Sequence, residues 1–568
     1  MAQSILIIGD DLRSFLSVVR SLGKCGIRIN VVAPHASSPA LSSRYIYRIH
    51  QLPPFYLNPK AWVKDLSDLA VQENIQLILP MTDQVMLPCV RYQDVLDPSV
   101  TLLYPGEKAF RLFQDKWKTH QLCEDVVVPH CQVWPAQGII EDSIPDASYP
   151  LYLKPRSSAD MKNLRGKQVV QQIMNADHLS ATLEALHKPE DYFLEQEFQG
   201  IGVGISVLAQ QGKLVQAFQH QRLSEGTSGG SSVRISTPCH PGMLGAVEAL
   251  TAASALEGVA MFEFRFQPET DQFVLLEVNA RFWGSLPLAI ASGVNFPALL
   301  WAQCVAGAAA EGRTAYENLG KNYTYGQVAR AFTPSFDDFR RAIERLGFLS
   351  KVLFFMKSIA LSGARMVAGR ESVDTFDWRD ARPFFGEITA LVKRIGWKVL
   401  QVVQLESFLR VRQRLNKART HQKSINSVLI LCDGNICRSP FLESYLKNKY
   451  PHMTVKSAGF MPMSGRSSPV AAQQVAPLYG VDLSSHQSQA VSTEMMHACD
   501  VILYFDAKNA QALKDYFPDY FVKSFCVGDF LTPAQDIPDP YGGNAEQFQD
   551  CYGNIQQAVK IMDEFLNS

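Results

Sequence analysis

Short apolar runs alternate with segments of helical pattern at the start of the chain. The runs ILIIG (5–9), IRINVVAP (27–34) and IQLILP (75–80) each have the length and the β-branched content of a strand. Strands that alternate with helices predict a parallel sheet with helices on both of its faces. We therefore predict an α/β domain over residues 1–110.

Longer strand-like runs follow from about Tyr149, and their pattern is more antiparallel in character. They read YPLYLKP, DYFLEQEF, VGISVLAQQGKLVQAFQHQRL, AMFEFRF and FVLLEVNARF. Within the third run, Gln211 and Gly212 lie between two strand-like halves and predict a hairpin turn. These runs predict an α+β domain over residues 111–312.

The rest of the chain divides into a helical stretch and a second α/β unit. Residues 313–426 have mainly helical patterns, which predict a connecting region and a basic linker. Within it, KVLFFMKSIALSGARMV (351–367) predicts a packed helix, with a membrane-surface helix as the alternative. The run RVRQRLNKARTHQK (410–423) predicts a solvated helix end, with contact to an anionic surface as the alternative. The strand VLILC then opens an α/β domain over residues 427–568.

Composition narrows the class of protein. Hydrophobic residues make up 47% of the 568 positions and charged residues 19%, which is typical of chains with buried cores. A formal net charge of -1 gives no reason to expect a nucleic acid as a partner. The eleven cysteines form no CxxC pair and predict reduced thiols. The start MAQSILIIGDD predicts a strand and not a signal peptide, and no apolar run reaches about 18 residues, so we expect a cytoplasmic location without a transmembrane segment.

One candidate for chemistry follows the strand of the last domain. The sequence VLILCDGNICRSP places Cys432 directly after that strand, with five residues between it and Arg438. A strand, loop and helix in this order can wrap backbone N–H groups around an anion at the helix N-terminus. That environment predicts a lowered cysteine pKa and a thiolate nucleophile at neutral pH. Arg438 offers two parallel donors to phosphate oxygens, Ser439 can bond to the sulfur, and Gly434 allows the loop to bend.

Cleavage of a phosphate ester also needs an acid for the leaving oxygen, and DIPDPYGG offers Asp539 between two prolines. The CDGNICRSP loop, the VKSAGF segment and the DPY loop together resemble the low-molecular-weight protein tyrosine phosphatases over about 140 residues. The resemblance implies a four-stranded parallel α/β fold with Cys432 as nucleophile, Arg438 as phosphate binder and Asp539 as general acid. It also implies a loop braced by Asn435, a cleft wall at Tyr541 and the following phosphate-loop residues: Asp433, Gly434, Asn435, Ile436, Cys437 and Ser439.

Two other activities share this fold. Thioredoxin-linked arsenate reductases need two further cysteines close together, whereas Cys499, Cys526 and Cys551 stand far apart. Protein-arginine phosphatases carry a threonine where this chain has Ile436, and an isoleucine suits an aryl phosphate better. We therefore expect a phosphotyrosine protein or another aryl phosphate as the substrate, with a phosphorylated metabolite as the alternative.

A second set of charged residues lies in the middle of the chain. Glu263, Glu277 and Asn279 on neighbouring strand-like runs make a set of hard oxygen ligands that suits Mg²⁺. Lysines at 116 and 154 and an arginine at 281 supply cations for phosphate groups. The small-residue run SEGTSGGSSVR (224–234) has the composition of a loop that folds over a triphosphate.

The order of these residues is similar to that of the ATP-grasp superfamily, and most of all to its carboxylate–amine ligase branch, from about Ile5 to about Gln303. The resemblance implies a pre-ATP-grasp α/β domain followed by an ATP-grasp fold. It implies ATP contacts at Lys116, Lys154, Glu195, Phe198, Arg222 and Arg281, with Glu195 and Phe198 in the hinge that receives adenine. The implied metal ligands are Glu263, Glu277 and Asn279.

Enzymes of this branch phosphorylate a carboxylate with ATP, and an amine then attacks the acyl phosphate. We therefore expect a bifunctional enzyme that uses ATP, Mg²⁺, and carboxylate and amine substrates that the sequence does not identify. The alternative is a regulatory module that binds nucleotide, with only the phosphatase catalytic, because QGIGVG replaces the acidic ribose contact that many members have after the hinge. Homodimers are common among such relatives.

Overall fold

The computed structural model divides the chain into two compact units, Met1–Thr389 and Ala390–Ser568. It describes residues 4–35, 37–139, 144–145, 148–159, 164, 170–184, 186, 188–225, 231–306, 322–335, 365–366, 368–402, 425–461, 463–531 and 535–566. Most of the predicted helix at 351–367, the basic run at 410–423 and residues 226–230 of the small-residue run lie outside these ranges. No helix within the described ranges has the length and hydropathy that a membrane span needs.

A five-stranded sheet opens the first unit, and all of its strand pairs are parallel. Its strands are β1 (Ser4–Ile8), β2 (Arg28–Val32), β3 (Ile46–His50), β4 (Leu77–Pro80) and β5 (Thr101–Leu102), in the spatial order β3-β2-β1-β4-β5. The central strand β1 is buried along its whole length, as its apolar run SILII requires. The predicted parallel sheet is confirmed, and β3 is an edge strand that the sequence pattern did not show.

Five helices lie between β1 and residue 125 of the chain, and short polar side chains begin several of them. The helices are α1 (Ser14–Lys24), α2 (Pro59–Gln72), α3 (Asp83–Arg91), α4 (Glu107–Phe113) and α5 (Lys116–Asp125). Asp11 accepts hydrogen bonds from the backbone N–H groups of Ser14 and Phe15 at the start of α1. Asp115 caps α5 by accepting from the N–H of Trp117, which places Lys116 in the first turn.

A small antiparallel sheet follows in the same unit. It contains β6 (Val133–Pro135), β7 (Leu151–Pro155), β8 (Gln171–Ile173) and β9 (Tyr192–Gln196), in the order β6-β9-β7-β8, and the helix α6 (Ala176–Glu184) follows β8. The residues of β7 alternate between buried and half-buried. This alternation leaves Tyr152 and Lys154 half-buried and places Leu151 and Leu153 in the core.

The largest sheet has seven strands and is antiparallel except for its last pair. The strands are β10 (Ile201–Gln210), β11 (Lys213–Glu225), β12 (Ser231–Thr237), β13 (Gly258–Gln267), β14 (Gln272–Asn279), β15 (Val328–Arg330) and β16 (Glu371–Val373), in the order β14-β13-β10-β11-β12-β15-β16. The helices α7 (Pro241–Ser254), α8 (Leu286–Ala291), α9 (Phe296–Ala306) and α10 (Arg382–Val402) complete this part of the chain.

Two features of the large sheet bear on the sequence predictions. Gln211 and Gly212 have φ angles of 50° and 71° and join β10 to β11, so the predicted hairpin turn is confirmed. The strands β15 and β16 lie beyond residue 312 and still belong to this sheet, so the predicted limit at 312 does not coincide with its edge. Both strands have three residues, too few to show an alternating pattern in a region that was predicted to be mainly helical.

The segment after β16 is tied to the rest of its unit by buried ion pairs. The Arg234 guanidinium on β12 donates to Asp374 Oδ1 and Oδ2, both at 2.6 Å, and the two side chains are 1% and 0% exposed. Arg20 on α1 donates through Nε to Asp380 Oδ2 at 2.9 Å. Charges buried this deeply need their partners, because an uncompensated one costs several kcal/mol, about 3–5.

The second unit contains a four-stranded parallel sheet. Its strands are β17 (Ser427–Cys432), β18 (Thr454–Gly459), β19 (Val501–Tyr504) and β20 (Ser524–Cys526), in the order β18-β17-β19-β20. Its helices are α11 (Arg438–Lys449), α12 (Val470–Val475), α13 (Thr493–Ala498), α14 (Ala507–Tyr516) and α15 (Ala545–Leu566). The predicted four-stranded parallel fold is confirmed, and the carboxyl end of β17 leads directly into the loop before α11.

Candidate active sites

The loop between β17 and α11 encloses a buried cysteine. Cys432 is the last residue of β17 and is 1% exposed, and Arg438 is the first residue of α11. The Cys432 Sγ lies 3.0 Å from Ser439 Oγ and accepts a hydrogen bond from the Asn435 N–H at 3.3 Å. Residues 433–437 therefore curl around the sulfur at a helix N-terminus, where N–H groups favour an anion.

Asn435 is hydrogen-bonded across the loop. Its Nδ2 donates to Ser439 Oγ at 2.9 Å and to Ser457 Oγ at 2.7 Å, and its Oδ1 accepts from the Gln489 N–H at 2.9 Å. Its φ of 53° is a left-handed conformation that asparagine tolerates better than most residues. Gly459 lets β18 approach the loop, because a Cβ there would lie 2.8 Å from the Asp433 carbonyl oxygen. These contacts hold the loop closed before any ligand binds.

Arg438 connects the loop to two distant carboxylates. Its Nη1 donates to Asp506 Oδ2 at 2.5 Å and to the Ile537 carbonyl at 2.8 Å, and its Nη2 donates to Asp539 Oδ2 at 2.8 Å. The structure thus brings the predicted phosphate binder and the predicted acid together across about a hundred residues of sequence. Tyr541, two residues further on, is 54% exposed beside this acid loop.

The expected lowering of the Cys432 pKa is not what this arrangement gives. Burial of the thiol raises its pKa, and the charge of Asp539 raises it further, while Arg438 and the Ser439 hydroxyl act in the opposite direction. The guanidinium of Arg438, although paired with Asp506 and Asp539, still lowers the thiol pKa, and burial outweighs this effect. The sequence pattern showed the cation and did not show both of its anions.

Four further residues shape the site and were not predicted. Asp506 follows β19 at the carboxyl edge of the sheet, where the sequence VILYFD offered a signal. Arg466 Nη2 donates to the Gly434 carbonyl at 2.6 Å, and His486 Nε2 lies 2.7 Å from the Asn435 carbonyl oxygen. Lys508 binds the Asp433 carboxylate at the exposed side of the loop. These three come from loops and a helix whose sequences carry no pattern that points to the phosphate loop.

The first unit contains a cavity of about 430 Å³ lined by charged side chains. Most of the predicted ligase-type residues line it: Lys116, Lys154, Arg222, Glu263, Glu277, Asn279 and Arg281. Glu195 and Phe198, which were predicted to lie at the adenine-binding hinge, are not among the residues that line this cavity. Glu195 is buried instead, where its carboxylate binds Lys154 and lies 3.1 Å from His120 Nε2.

Two carboxylates face each other in this cavity. Glu263 on β13 and Glu277 on β14 are direct cross-strand partners. Asn279 Nδ2 lies 3.2 Å from Glu277 Oε1 and 3.4 Å from Glu263 Oε1. Lys116 Nζ lies 3.4 Å from Glu277 Oε2, and Arg222 binds Glu263. Each carboxylate therefore has a cation of its own, although like charges directly opposite on a sheet repel.

Their different partners separate the two carboxylates in pKa. Burial alone would raise the pKa of Glu277, but Lys116 and Lys154 lower it to about 2, so this side chain is ionised. For Glu263, burial and the neighbouring Glu277 charge raise the pKa above its ordinary value, against the opposing effect of Arg222. Two acidic residues whose environments push their pKa values apart are typical of functional sites.

The donor set fits a magnesium ion bound together with phosphate. Two carboxylates and the oxygen of an amide are hard ligands of the type that Mg²⁺ takes, with substrate oxygens and water to complete its shell. In the described part of the chain no cluster of three or more His, Cys, Asp and Glu side chains could hold a metal by itself.

Arg281 joins the cavity to the first sheet. Its Nε donates to Asp83 Oδ2 at 3.0 Å, and its Nη2 donates to Asn279 Oδ1 at 3.0 Å. Asp83 opens α3 directly after β4, within the LPMTDQ segment. One arginine thus fixes the amide between the two carboxylates and contacts the carboxyl edge of the parallel sheet, where ligands of α/β proteins commonly bind.

Comparisons with known proteins give separate matches for the two regions of the chain that carry these sites. A family model described as low molecular weight phosphotyrosine protein phosphatase matches residues 427–567, and one described as ATP-grasp in the biosynthetic pathway with Ter operon matches residues 188–324. The low molecular weight protein-tyrosine-phosphatase Etp of Escherichia coli K12 is 33% identical over 137 residues, which cover 24% of this chain and 92% of that protein. Wzb of Salmonella typhi is 31% identical over 143 residues, covering 25% and 95%.

Among solved structures, the L-amino acid ligase from Bacillus licheniformis aligns with 57% of this chain and 78% of its own, at 15% identity and a TM-score of 0.43.

A parallel α/β unit whose strand runs into a cysteine-bearing anion loop defines a class of phosphate-ester hydrolases. Over residues 427–567 the chain belongs to the low-molecular-weight phosphotyrosine protein phosphatase family. Ahead of that domain, residues 188–324 match the ATP-grasp family model.

Proposed function

We propose that the C-terminal domain hydrolyses aryl phosphates, first of all phosphotyrosine, through a phosphocysteine intermediate. The Cys432 sulfur attacks phosphorus, and the bond from phosphorus to the leaving oxygen breaks. Asp539 donates a proton to that oxygen and then takes one from the water that hydrolyses the S–P bond. The observation that carries this proposal is the contact of Arg438 with Asp539 beside the enclosed sulfur.

A bound phosphate would change the partners of Arg438. In the structure its two terminal nitrogens face Asp506 and Asp539, and a phosphoryl group above the sulfur would compete for them. Planar guanidinium donors suit two phosphate oxygens at once. Release from Arg438 would also free the Asp539 carboxyl group to contact the leaving oxygen.

The choice of an aryl phosphate rests on the outer wall of the site and on the relatives. Tyr541 is exposed beside the acid loop and offers a ring for stacking. The curated relatives Etp and Wzb are named protein-tyrosine phosphatases. Rates on phosphotyrosine peptides should exceed rates on sugar phosphates and acyl phosphates at equal concentration. Higher kcat/KM on a phosphorylated metabolite would move the assignment to that substrate.

For the first unit we propose an ATP-dependent carboxylate–amine ligase. A carboxylate oxygen attacks the γ-phosphorus of ATP, ADP leaves, and an amine then displaces phosphate from the acyl carbon. Lys116, Lys154, Arg222 and Arg281 would neutralise the phosphate oxygens. Glu263, Glu277 and Asn279 would hold Mg²⁺, which spreads the charge of the transferring phosphoryl group. The convergence of these residues in one cavity carries the proposal.

ADP release by the full chain tests the ligase. We would supply MgATP with pools of amino acids, peptides and small carboxylates, and compare Glu277→Ala with Glu269→Ala, a change at an exposed glutamate of the adjoining turn. Release that depends on one pool, and falls by about two to three decades in Glu277→Ala only, supports the ligase. Tight MgATP binding without release from any pool would favour a nucleotide-binding regulatory module, and equal loss in both variants would contradict the assigned site.

A further inference from the structure

The same cavity contains a cation that the phosphate and metal assignments do not use. Arg13 lies at the beginning of α1, just past the carboxyl end of β1, and its guanidinium lines the cavity wall. Its Nη1 donates to the Ser231 carbonyl at 3.3 Å. Among the described residues this carbonyl is the only hydrogen-bond partner of the Arg13 guanidinium, and the guanidinium has no ion pair with a carboxylate. Burial, and next the charge of Arg234, lower the pKa of Arg13, while the charges of Asp374, Asp11 and Glu387 act in the opposite direction.

Arg234 stands beside Arg13 in the lining and is bound differently. The Nη2 of Arg234 donates a hydrogen bond to Asp374, and its Nη1 donates to the Ser231 carbonyl at 3.3 Å. Its Nε has no partner in the described structure, although the side chain is 1% exposed. The two arginines therefore share one carbonyl oxygen, and donors remain unused on both of them.

His220 adds a neutral polar group to the same wall. It is 2% exposed and its Nδ1 has no hydrogen-bond partner within the described residues. Burial, followed by the charges of Arg222 and Arg234, lowers its pKa to about 3, so the ring is uncharged near neutral pH. It packs against Gly204, where a Cβ would lie 2.3 Å from the ring. The ring is therefore fixed in place in the cavity wall.

Gly284 forms the surface on which the Arg13 guanidinium rests. A Cβ at this position would lie 3.2 Å from Arg13 Cζ, so any side chain would push the guanidinium away. Trp283 and Ser285 flank it in the lining. The glycine leaves just enough room for a planar cation. We therefore expect ligand binding to depend on the position of the Arg13 guanidinium as well as on its charge.

Unused donors of this kind are costly unless something binds to them. A buried polar group without a partner costs about 1–3 kcal/mol, and a charged one costs more. Four other cations that line the same cavity, at positions 116, 154, 222 and 281, are assigned to the phosphate groups in the proposed ligase function. A second anion is therefore needed to satisfy Arg13, and a planar guanidinium matches a carboxylate through two parallel bonds.

We propose that Arg13, with Arg234 and His220 beside it in the cavity wall, binds a carboxylate of the ligase substrate that is not the carboxylate being phosphorylated. This inference rests on the ligase function proposed above. The carboxylate belongs either to a dicarboxylic acid that is activated at its other end or to an amino acid that attacks through its amine. The shared chemistry is a small anion with a second reactive group.

Binding of matched acids to the full chain tests this subsite. With Mg²⁺ and a non-hydrolysable ATP analogue present, calorimetry would compare succinate with butyrate, glutarate with pentanoate, and L-glutamate with L-glutamine. We expect the member with the extra carboxylate to bind about tenfold more tightly in at least one pair, equivalent to about 1.4 kcal/mol. Arg13→Gln should abolish that preference, Arg13→Lys should keep part of it, and both should bind the ATP analogue as the natural chain does.

Two further readouts separate binding from a structural role. Thermal unfolding of Arg13→Gln without ligand should not be lower than that of the natural chain, because the change removes a cation that burial disfavours. Gly284→Ala, which displaces the guanidinium, should weaken binding of the preferred acid and leave the ATP analogue unaffected. MgATP hydrolysis with the acid alone would assign the carboxylate to the activated acid, and a requirement for the amino acid as second substrate would assign it to the attacking amine.

The outcomes distinguish this inference from the function on which it rests. Equal affinity within every pair, or a preference that survives in Arg13→Gln, would overturn the carboxylate subsite while the ligase stands. A loss of thermal stability in Arg13→Gln together with unchanged preference would show that the residue is structural. Absence of nucleotide binding in the natural chain would overturn the ligase itself.

Discussion

The two candidate sites are assembled in different ways. The phosphate loop takes its sulfur, its arginine and most of its N–H donors from residues 432–439, and Asn435 holds this loop in shape through four hydrogen bonds. The cavity of the first unit takes its charged groups from the residue before α1, from α5, β7, β11, β12, β13 and β14, and from the segment after β14. The first site depends on one loop, and the second depends on the folding of a whole unit.

The difference extends to how each site balances charge. In the phosphate loop one arginine is shared by two carboxylates, and the sulfur is the group left without a strong cation. In the cavity each predicted carboxylate has its own cation, and Arg13 is the group left without a strong anion. We infer that Arg438 must exchange hydrogen-bond partners when phosphate binds in the loop. In the cavity of the first unit, by contrast, Arg13 has no strong anion and can bind one.

The largest expected effect removes the nucleophile from the local site. Cys432→Ser should lower kcat/KM for p-nitrophenyl phosphate by at least about four decades, because a serine hydroxyl in the same loop is a far weaker nucleophile. Binding of the ATP analogue should be unchanged. Cys526→Ser, at a buried cysteine of β20, is the matched control and should retain activity. Retained hydrolysis in Cys432→Ser would remove the assignment of this site.

The acid loop comes next. Asp539→Asn should reduce kcat on phosphotyrosine by about two to four decades, the usual contribution of a general acid. The loss should be smaller on p-nitrophenyl phosphate, because its leaving oxygen is stable without a proton. Asp550→Asn, at an exposed position of α15, serves as the control. An equal loss on both substrates would argue that Asp539 acts only by holding Arg438.

Breaking the buried ion pair between Arg234 and Asp374 should affect the cavity of the first unit and leave the phosphate loop unchanged. Asp374→Ala leaves Arg234 as an uncompensated buried cation and should destabilise the first unit by about 3–5 kcal/mol. Thermal and urea unfolding would measure this loss, and ATP-analogue binding should weaken with it. Asp377→Ala, which breaks a more exposed pair with Lys24, should cost at most about 1 kcal/mol.

The phosphatase rate of Asp374→Ala should stay within about twofold below the unfolding temperature, since its loop is held by contacts inside the second unit. A phosphatase that lost activity in parallel with ATP-analogue binding would mean that the two sites are not independent.

The smallest expected effect concerns the thiol itself. Asp539 raises the pKa of Cys432, so Asp539→Asn should lower that pKa and move the pH profile of alkylation by iodoacetamide to lower pH. The sign follows from the thiolate fraction, which at any pH below the pKa increases when the pKa falls. Peptide mass spectrometry would separate Cys432 from the exposed Cys25, whose rate should not change. A profile that moves to higher pH would contradict the charge balance described for Arg438.

The sequence predicted the local site more fully than the non-local one. Cys432, Arg438 and Ser439 are neighbours in the chain, so their spacing alone carries the geometry, and Asp539 is marked by its two prolines. Asp506 was missed although it follows a strand, because a single acid at a strand end is common. The thiol pKa lies above its ordinary value, against the sequence prediction, because burial raises it and the Asp539 carboxylate, which comes from another segment, raises it further.

In the first unit, the strand periodicity predicted the central strands and the hairpin at Gln211 and Gly212, but not the edge strand β3 or the short strands β15 and β16. Glu263 and Glu277 were predicted from their strands, and the roles of all these side chains remain proposals. Arg13, Arg234 and His220 carried no motif, because what distinguishes them is the absence of a partner, and that is a property of the folded cavity. Only the position of Arg13 directly after the first strand offered a signal.

The extension of the large sheet beyond residue 312 limits how this protein can be dissected. Cutting the gene at that point would remove β15 and β16 and leave β12 as an open edge with unpaired backbone groups, a surface that promotes aggregation. It would also remove Asp374 and leave Arg234 without its carboxylate partner, beside the proposed carboxylate subsite. A fragment that ends at residue 312 is therefore not a complete folding unit. A fragment or circular permutant of this unit should extend at least through Asp380, because Asp380 forms an ion pair with Arg20 of the same unit.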